Sequence, residues 1–371
     1  MTIYTVSSAA ELTATLSKSL NGDVIQLAAG SYGKVQISGI NIAGNVTITS
    51  ADPQNEAVIN GLLVQGSSGI TFSNLEFHST VVGLQNPFQV AGSQNITLDH
   101  LTVHGPSNLG SGLESQLMMI RASSNVTVSN SEFFDGWHGL NLLDNTGVTV
   151  ANNYVHDIRT DGIRGGGNSD LVITKNTFTD FHPAIGDHPD AIQLWTINTT
   201  KSASNITITD NLIVRGQGAQ MQGVFIGDNG NLLPFQNVTV TGNMITGGLY
   251  NGISVNGVVG GTVADNVVAG YADQRSWILT ANATGLSVSN NASTFWPMSM
   301  SSWSSAYGNT TIPSVTDSGA ALVSQWLASH SGVSSAWTGS DSTFLNAILN
   351  GSTFGAGTTT TTASTPPPPP P

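Results

Sequence analysis

The chain has 371 residues and a formal net charge of −13, and only 8% of its residues are charged. The acidic balance argues against nucleic acid and anionic membrane surfaces as partners, since both attract basic proteins. The sequence contains no cysteine, which excludes a disulfide framework and a zinc–thiolate site. The shortage of helix-forming charged residues, together with 42 glycines, favours a fold of strands and turns.

A short helix is predicted near the N-terminus. Residues 8–19 carry Leu12 and Leu16 at helical spacing, and Ser8 is a suitable N-cap. An amphipathic helix here would cover the open end of a solenoid, which otherwise exposes core and unpaired strand edges.

A short apolar–polar–apolar phrase then recurs along most of the chain. Its clearest copies occupy residues 70–72, 96–98, 126–128, 148–150, 171–173, 206–208, 238–240 and 286–288. In the later coils an Asn follows at a fixed offset, and these residues are Asn153, Asn176, Asn211, Asn243, Asn266 and Asn291. Short alternating strands at such intervals indicate a β-solenoid, in which equivalent residues of successive coils stack in rows. We interpret the Asn row as a structural ladder of side-chain amides.

The start of the repeats carries a family resemblance. Residues 22–27 read Gly-Asp-Val-Ile-Gln-Leu and residues 30–32 read Gly-Ser-Tyr, after the predicted capping helix. This opening resembles that of the pectin-lyase-like superfamily, and the resemblance spans roughly residues 3–292. It implies an all-β fold, a right-handed parallel β-helix with an N-terminal capping helix and a C-terminal cap. Families of this fold include polysaccharide lyases, C5-epimerases and glycoside hydrolases.

Three segments are predicted along the chain. Residues 1–292 form the parallel β-helix with its N-terminal cap. Residues 293–355 form a C-terminal cap segment over the last coil, with a helix-like stretch at residues 320–328. Residues 356–371 are a Thr/Pro-rich linker, after which we expect a further module.

The second strand of each coil supplies the candidate site. Aligning these strands places one outward row at His138, Asp161, Asp190, Gln222 and Asn251. The neighbouring row contains Asn141, Arg164, Gln193, Phe225 and Ser254. Adjacent coils lie ~4.8 Å apart, so Asp161 and Asp190 are expected to stack within roughly 5 Å. Like charges this close need a proton, an ion pair or a metal. The alternative is a turn-capping Asp that forms a salt bridge with Arg164.

Coil length points to the same place, because the coils that hold Asp190 and Gln222 are the longest. Inserts in solenoids commonly gather on the binding face. One insert, residues 180–189, contains His182, Asp187 and His188. The histidines are candidate acids or bases near neutral pH, although both His-Pro steps also suit rigid loop corners.

A polysaccharide lyase acting on a uronate-containing polymer is the favoured function. Such an enzyme needs a base to remove the C5 proton and a cation to neutralise the carboxylate. The predicted catalytic residues are His138, Asp161, Arg164, His182, His188 and Asp190. The predicted substrate-binding residues are Asn141, Gln193, Trp195, Gln222 and Phe225, with Trp195 stacking on a sugar ring. Asp187 and Asp190 are predicted to hold Ca²⁺.

Two other enzyme reactions stay open. A glycoside hydrolase would use Asp161 and Asp190, although their expected spacing is shorter than the ~6.5–9.5 Å usual for inversion. A uronate C5-epimerase is the other, although the Asp-Pro-His-Glu motif of that family is not found.

A non-catalytic carbohydrate-binding, ice-binding or adhesin surface is the alternative of another class. It would use the outward Thr row at residues 71, 97, 127, 149, 207 and 239. Thr is also simply a good exposed strand residue.

The expected partner is a polysaccharide substrate, with no nucleic acid and no membrane, and we expect a monomer. No signal peptide is recognisable at the start of the sequence. The acidic, cysteine-free, Gly-rich composition is typical of bacterial proteins exported without one. The sequence therefore predicts a secreted, extracellular bacterial protein.

Overall fold

A computed structural model describes residues 1–83, 85–106, 114–228, 233–297, 300–316 and 318–330, with the backbone alone for 300–304. Its strands are β1 Ile3–Val6, β2 Val24–Leu27, β3 Lys34–Ser38, β4 Asn41–Ser50, β5 Val58–Ile59, β6 Gly61–Gln65, β7 Ser68–His78, β8 Phe88–Ala91, β9 Gln94–His104, β10 Gln116–Arg121, β11 Ser124–Ser129, β12 Glu132–Phe134, β13 His138–Leu143, β14 Thr146–Ala151, β15 Tyr154–His156, β16 Ile163–Gly166, β17 Ser169–Thr174, β18 Thr177–Thr179, β19 Asp190–Trp195, β20 Ser204–Thr209, β21 Leu212–Val214, β22 Gln222–Gly227, β23 Phe235–Thr241, β24 Met244–Thr246, β25 Asn251–Asn256, β26 Val258–Ala264, β27 Val267–Ala269, β28 Trp277–Ser289, β29 Ala292–Ser293, β30 Met300–Tyr307 and β31 Thr310–Thr311. Its helices are α1 Ala9–Leu16 and α2 Ala320–Ser329.

Parallel pairing between successive coils arranges the strands in three faces. The first face carries the repeated phrase and runs through β2, β4, β7, β9, β11, β14, β17, β20, β23, β26, β28 and β30. The second face contains the short strands β5, β12, β15, β18, β21, β24, β27, β29 and β31, together with the ends of β7 and β9. The third face runs through β3, β6, β8, β10, β13, β16, β19, β22, β25 and the start of β28. The predicted parallel β-helix is therefore confirmed.

One continuous hydrophobic core fills the solenoid. On the first face, Val126 pairs with Val148 and Val148 pairs with Leu171, and all three are buried. The intervening Thr127 and Thr149 are partly exposed. Because side chains alternate between the two sides of a strand, this in-phase register directs every apolar member of the phrase into the core.

The Asn row forms the predicted ladder inside the turn between the first and second faces. Asn211 is typical, because its Oδ1 accepts from the backbone N–H and the Nδ2 of Asn176, both at 3.0 Å. Its own Nδ2 donates to Oδ1 of Asn243 at 2.9 Å and to the carbonyl of Ile173 at 3.0 Å. The left-handed backbone conformation falls on the residue before the Asn, as at Asp210 with φ 55°. The buried amides thus satisfy the backbone groups that the turn leaves unpaired.

The helix α1 covers the start of the solenoid, as predicted. Ser8 is its N-cap, and its hydroxyl oxygen accepts from the backbone N–H of Glu11 at 3.2 Å. Leu12 and Leu16 are fully buried against the first coil.

The C-terminal region differs from the prediction in two respects. Parallel pairing continues past residue 292, because β28 pairs with β30 and β29 with β31, and Asn309 extends the Asn ladder. The helix α2 is confirmed, but it packs against the side of the solenoid rather than over the last coil. Val323 and Trp326 contact Leu212 and Met244 of the second face. The remainder of the predicted cap and linker, residues 331–371, lies outside the described residues.

The reason for the position of α2 is local. In the coils before β21 the second face presents polar residues such as Glu132 and Thr177, and β21 and β24 replace them with Leu212 and Met244. Trp326 Nε1 also donates to the carbonyl of Gly242 at 2.9 Å. Neither described helix is long and apolar enough to cross a membrane.

The ladder predicts a large effect of a single amide. The substitution Asn211→Ala leaves several buried backbone and amide groups unpaired, and we expect it to lower the free energy of unfolding by about 1–3 kcal/mol for each such group. Denaturant unfolding followed by circular dichroism measures this. The matched control is Asn55→Ala in an exposed turn, which we expect to stay within about 0.5 kcal/mol of the parent. Equal effects of the two substitutions would contradict a ladder that stabilises the fold.

Candidate active site

The predicted row on the third face is present in the structure. Gly139 N donates to the carbonyl of Asp161, and Gly162 N donates to that of Asp190, both at 3.0 Å. Asp190 in turn pairs directly with Gln222 of the next coil. These contacts stack His138, Asp161, Asp190 and Gln222 in successive coils.

The predicted outward orientation of this row is wrong for its first four members. The side chains of His138, Asp161, Asp190 and Gln222 are buried. Each stands two residues before a core residue of its strand, such as Ile163 or Ile192, and therefore lies on the inward side of the alternation. The side chains of the neighbouring row therefore cover these four side chains, which do not face solvent directly.

Arg164 links the buried row to the surface. Its Nη1 lies 3.0 Å from Oδ2 of Asp161 and 2.7 Å from Nε2 of His138. Its guanidinium carbon lies 4.8 Å from the ring centroid of Trp195, a cation–π distance. Only about a quarter of the Arg164 side chain is exposed. The Asp161–Arg164 salt bridge that the alternative interpretation of this row expected is present, within a larger cluster.

His138 is held in its neutral form. Burial and the nearby Arg164 and Arg159 guanidinium groups lower the pKa of His138 to about 2. Thr160 Oγ1 lies 2.6 Å from Nδ1 of the same ring. The buried imidazole of His138 therefore stays unprotonated at neutral pH, and in this position it orients Arg164.

Asp190 lies at the centre of a second set of contacts. Its Oδ2 lies 3.2 Å from Nδ1 of His188 and accepts from Nε2 of Gln193 at 2.8 Å. Its Oδ1 is buried and, among the described residues, lacks a hydrogen-bond partner. His188 contacts the side-chain amide of Gln222 through Nε2. Asp190 and Gln222 of the row thus contact His188, which the loop of residues 180–189 brings to the surface.

The pKa values of both carboxyl groups, Asp161 and Asp190, are raised. Burial and the neighbouring Asp190 raise the pKa of Asp161 to about 7, although Arg164 opposes this shift. Burial also raises the pKa of Asp190, against the opposing effect of its hydrogen bond with His188. That hydrogen bond raises the pKa of His188. Raised pKa values of buried carboxyl groups beside a histidine are expected of groups that exchange protons in acid–base catalysis.

The groups that reach solvent are cationic, amide or aromatic. His188 exposes 53% of its side chain, whereas the Asp190 carboxylate beneath it is fully buried. Arg164, Gln193, Trp195 and Phe225 are partly exposed. Asn141 is buried instead, with Nδ2 donating to the carbonyl of Met118 at 3.2 Å, so the structure gives this predicted substrate-binding residue a structural contact.

A second group of residues borders the site and was missed at the sequence level. Arg159 forms two hydrogen bonds with Asp187, Nε to Oδ2 at 2.6 Å and Nη2 to Oδ1 at 3.1 Å. The guanidinium carbon of Arg159 also lies 4.7 Å from the ring centroid of Trp137. Arg159 is one of only nine basic residues in the sequence, and that scarcity was an available signal.

The structure does not bring together Asp187 and Asp190, the two predicted Ca²⁺ ligands. Both oxygens of Asp187 contact Arg159, whereas Asp190 contacts His188 and Gln193. The two side chains have different partners, since Asp187 lies in the loop before β19 and Asp190 is the first residue of that strand.

His182 also lies in another cluster. Its Nε2 is 2.8 Å from Oδ1 of Asp157. Asp157 Oδ2 lies 2.6 Å from Nδ1 of His156, and Nε2 of His156 lies 2.9 Å from Oε1 of Glu132. Asp157 follows the short strand β15 and has a left-handed φ of 49°. The loop that brings His188 to Asp190 thus directs His182 to a different turn.

Comparison with known proteins supports the architecture. Residues 23–201 match a family described as "Right handed beta helix region". The chain therefore has the right-handed parallel β-helix fold. A search of curated proteins finds no match.

Solved structures show the same fold at low sequence identity. The surface protein and adhesin PfbA of Streptococcus pneumoniae is similar with a TM-score of 0.54 and 15% identity, over 81% of this chain and 94% of that one. A second PfbA structure gives a TM-score of 0.52 and 14% identity, over 82% and 88%. The pectate lyase Pel9A gives a TM-score of 0.46 and 14% identity, over 85% and 82%. At 14–15% identity the similarity to the two PfbA structures is one of fold alone.

The cluster around His156 predicts a stability loss at alkaline pH. Burial disfavours its imidazolium, but the hydrogen bonds that His156 donates to Asp157 and Glu132 outweigh burial and raise the pKa of His156 to about 9. An unfolded His has a pKa near ~6.5. The stabilisation is therefore complete below that pH and is lost as pH rises through 9, by up to about 1.4 kcal/mol per pH unit. Unfolding free energies of the parent and His156→Gln should converge from pH 6.5 to 9, and parallel curves would contradict this assignment.

Proposed function

We propose that this β-helix is a secreted polysaccharide lyase that cleaves a uronate-containing polymer by β-elimination. The observation that carries the proposal is the division of the site into buried carboxylates and solvent-facing cations. Asp161 and Asp190 are buried, whereas Arg164 and His188 contact them from the outer side. A surface that offers cations and a base suits an anionic sugar better than a surface of carboxylates.

In this mechanism His188 is the general base. Its neutral form takes the proton from C5 of the uronate, and the electron pair forms the C4–C5 double bond as the bond from C4 to the glycosidic oxygen breaks. Asp190 holds Nδ1 of His188 and stabilises the imidazolium that forms, which is the role of an orienting carboxylate. The departing oxygen takes up a proton from water, and the His188 imidazolium later returns its proton to solvent, so a new chain end, an unsaturated uronate and the neutral base result.

Arg164 provides the charge that makes the C5 proton acidic enough to remove. A guanidinium binds a carboxylate with two parallel hydrogen bonds and stabilises the negative charge that develops during elimination. Asp161 and the neutral His138 hold this guanidinium on its inner side. Trp195 and Phe225 supply partly exposed aromatic surface for the sugar rings. Ca²⁺ remains a candidate cofactor, since hard cations bind uronate carboxylates.

A glycoside hydrolase is the second candidate because the pKa of Asp161 is raised to about 7 by burial and by Asp190. A protonated carboxyl group is what a general acid requires. Against this, the Asp161 carboxylate is 4% exposed and forms an ion pair with Arg164, which leaves it little access to a glycosidic oxygen. Binding without cleavage is the third candidate.

The first test is a polymer screen with alginate, pectate and glucuronan, with and without Ca²⁺. We expect ultraviolet absorbance from unsaturated uronates to rise with at least one polymer. His188→Gln should lower this rate by about 10²–10⁴-fold, because it removes the general base. The matched control is His100→Gln, an exposed histidine on another part of the solenoid with 58% side-chain exposure, which should keep the parent rate.

The outcomes separate the candidates. New reducing ends without the absorbance would identify a hydrolase, and Asp161→Asn would then be expected to abolish them. Retention of a polymer without any product would identify a binding protein. A parent rate in His188→Gln would overturn the assignment of the base even if the lyase activity is present.

The hydrogen bond to Asp190 also predicts the pH dependence of the lyase. Because this bond raises the pKa of His188, the neutral base accumulates only at higher pH, and kcat/KM should rise through a pKa above the ordinary value of His. Asp190→Asn removes the carboxylate and should move this rise to lower pH while lowering the maximal rate. A pH profile that does not move would show that Asp190 does not act through His188.

A further inference from the structure

A cluster of metal-binding side chains lies outside the candidate active site, on the second face. Glu76 and His78 stand at the end of β7, and His104 ends β9 in the next coil. The register pairs His78 with His104. Their rings stack with centroids 4.3 Å apart and an angle of 19° between the planes. Successive coils therefore place two imidazoles and a carboxylate side by side.

The distances in this cluster suit a small divalent ion. Glu76 Oε1 lies 3.2 Å from Nε2 of His104 and 3.7 Å from Nδ1 of His78. One ligand atom from each of the three residues lies within 4.8 Å of the others. A tetrahedral ion with ligands at about 2.0–2.1 Å holds them roughly 3.3 Å apart. Within the part of the chain that the structure describes, no other three such residues each bring one ligand atom within 4.8 Å of the other two.

The hydrogen bonding of His104 favours a cation between its Nε2 and Oε1 of Glu76. Its Nδ1 lies 3.0 Å from the carbonyl oxygen of Gly105. A carbonyl oxygen only accepts, so Nδ1 carries the proton, and Nε2 is left facing Glu76 Oε1, also an acceptor. Either a second proton or a cation must separate these two atoms. A donated Nδ1–H to a backbone carbonyl is the usual support for a histidine that binds metal through Nε2.

The surroundings allow the remaining ligand to move into place. Phe134 stacks on His104 with centroids 4.7 Å apart and holds that ring. His78 exposes 36% of its side chain, against 16% for His104. Metal binding requires the partly exposed ring of His78 to turn out of the stack, so that its Nδ1 points to the same place as His104 and Glu76.

We propose that Glu76, His78 and His104 bind a first-row divalent metal ion of the Zn²⁺ type, with water in the fourth position. Two imidazoles and one carboxylate suit Zn²⁺, whereas Ca²⁺ requires an all-oxygen set. The ion ties the coil of β7 to the coil of β9, so its role is to fix these neighbouring coils. The site is independent of the proposed lyase reaction.

Calorimetric titration of the EDTA-treated full chain with ZnCl₂ tests the proposal. We expect one equivalent to bind in the parent, with a rise in Tm, and Co²⁺ substituted for Zn²⁺ to show the visible absorption of a tetrahedral ion. His78→Gln and Glu76→Gln should each weaken binding at least about tenfold. Both substitutions replace partly exposed side chains, and circular dichroism checks that the variants remain folded.

The control is His100→Gln, which removes an exposed His–Asp pair on the same solenoid and should leave the affinity unchanged. No stoichiometric binding by the parent would overturn the proposal. So would equal Zn²⁺ affinity in the parent, His78→Gln and Glu76→Gln. A protonated His104 paired with Glu76 is then the explanation of the short contact.

Discussion

The in-phase register between successive coils is the constraint on which the rest of the structure depends. Each strand pairs with the equivalent strand of the previous coil. A residue type that recurs at the same position in successive coils therefore forms a row. Val126, Val148 and Leu171 form part of the core in this way. The same stacking brings Asp161 next to Asp190, although the two are far apart in sequence. Long-range proximity is therefore achieved without any special contact between the segments.

Stacking also determines the electrostatics of the candidate site. Rows are favourable for apolar groups and amides, which gain partners above and below, and unfavourable for carboxylates, which gain like charges. The chain accommodates two stacked carboxylates by placing them at the inner edge and covering one with a guanidinium and the other with an imidazole. Arg164 covers Asp161 and His188 covers Asp190. This alternation explains how a buried acidic pair persists, and it leaves positive groups on the outer side.

The sequence predicted the periodic part of the molecule well, because one phrase repeated many times reports the same local physics each time. The stacking of His138, Asp161 and Asp190 and the salt bridge to Arg164 followed from aligning coils. The burial of that row could not be predicted in the same way. Inward and outward positions were assigned from the polarity of the residues, and this rule fails where polar residues occupy inward positions. Asp187 and His182 lie in a loop that has no repeat to align with, so their partners Arg159 and Asp157 could not be read from spacing. The side position of α2 depended on Leu212 and Met244, which read as ordinary core residues.

The Asn ladder has a direction. The side-chain amide of each Asn from Asn153 to Asn291 donates to Oδ1 of the Asn in the next coil, and the row ends at Asn309, which accepts from Asn291. Such a chain polarises cooperatively, because each bond strengthens its neighbours. It also makes the whole coil, from one Asn to the next, the natural unit of duplication or loss. A solenoid with this ladder can change in length by complete turns during evolution, while a single inserted residue inside a strand interrupts both the ladder and the core.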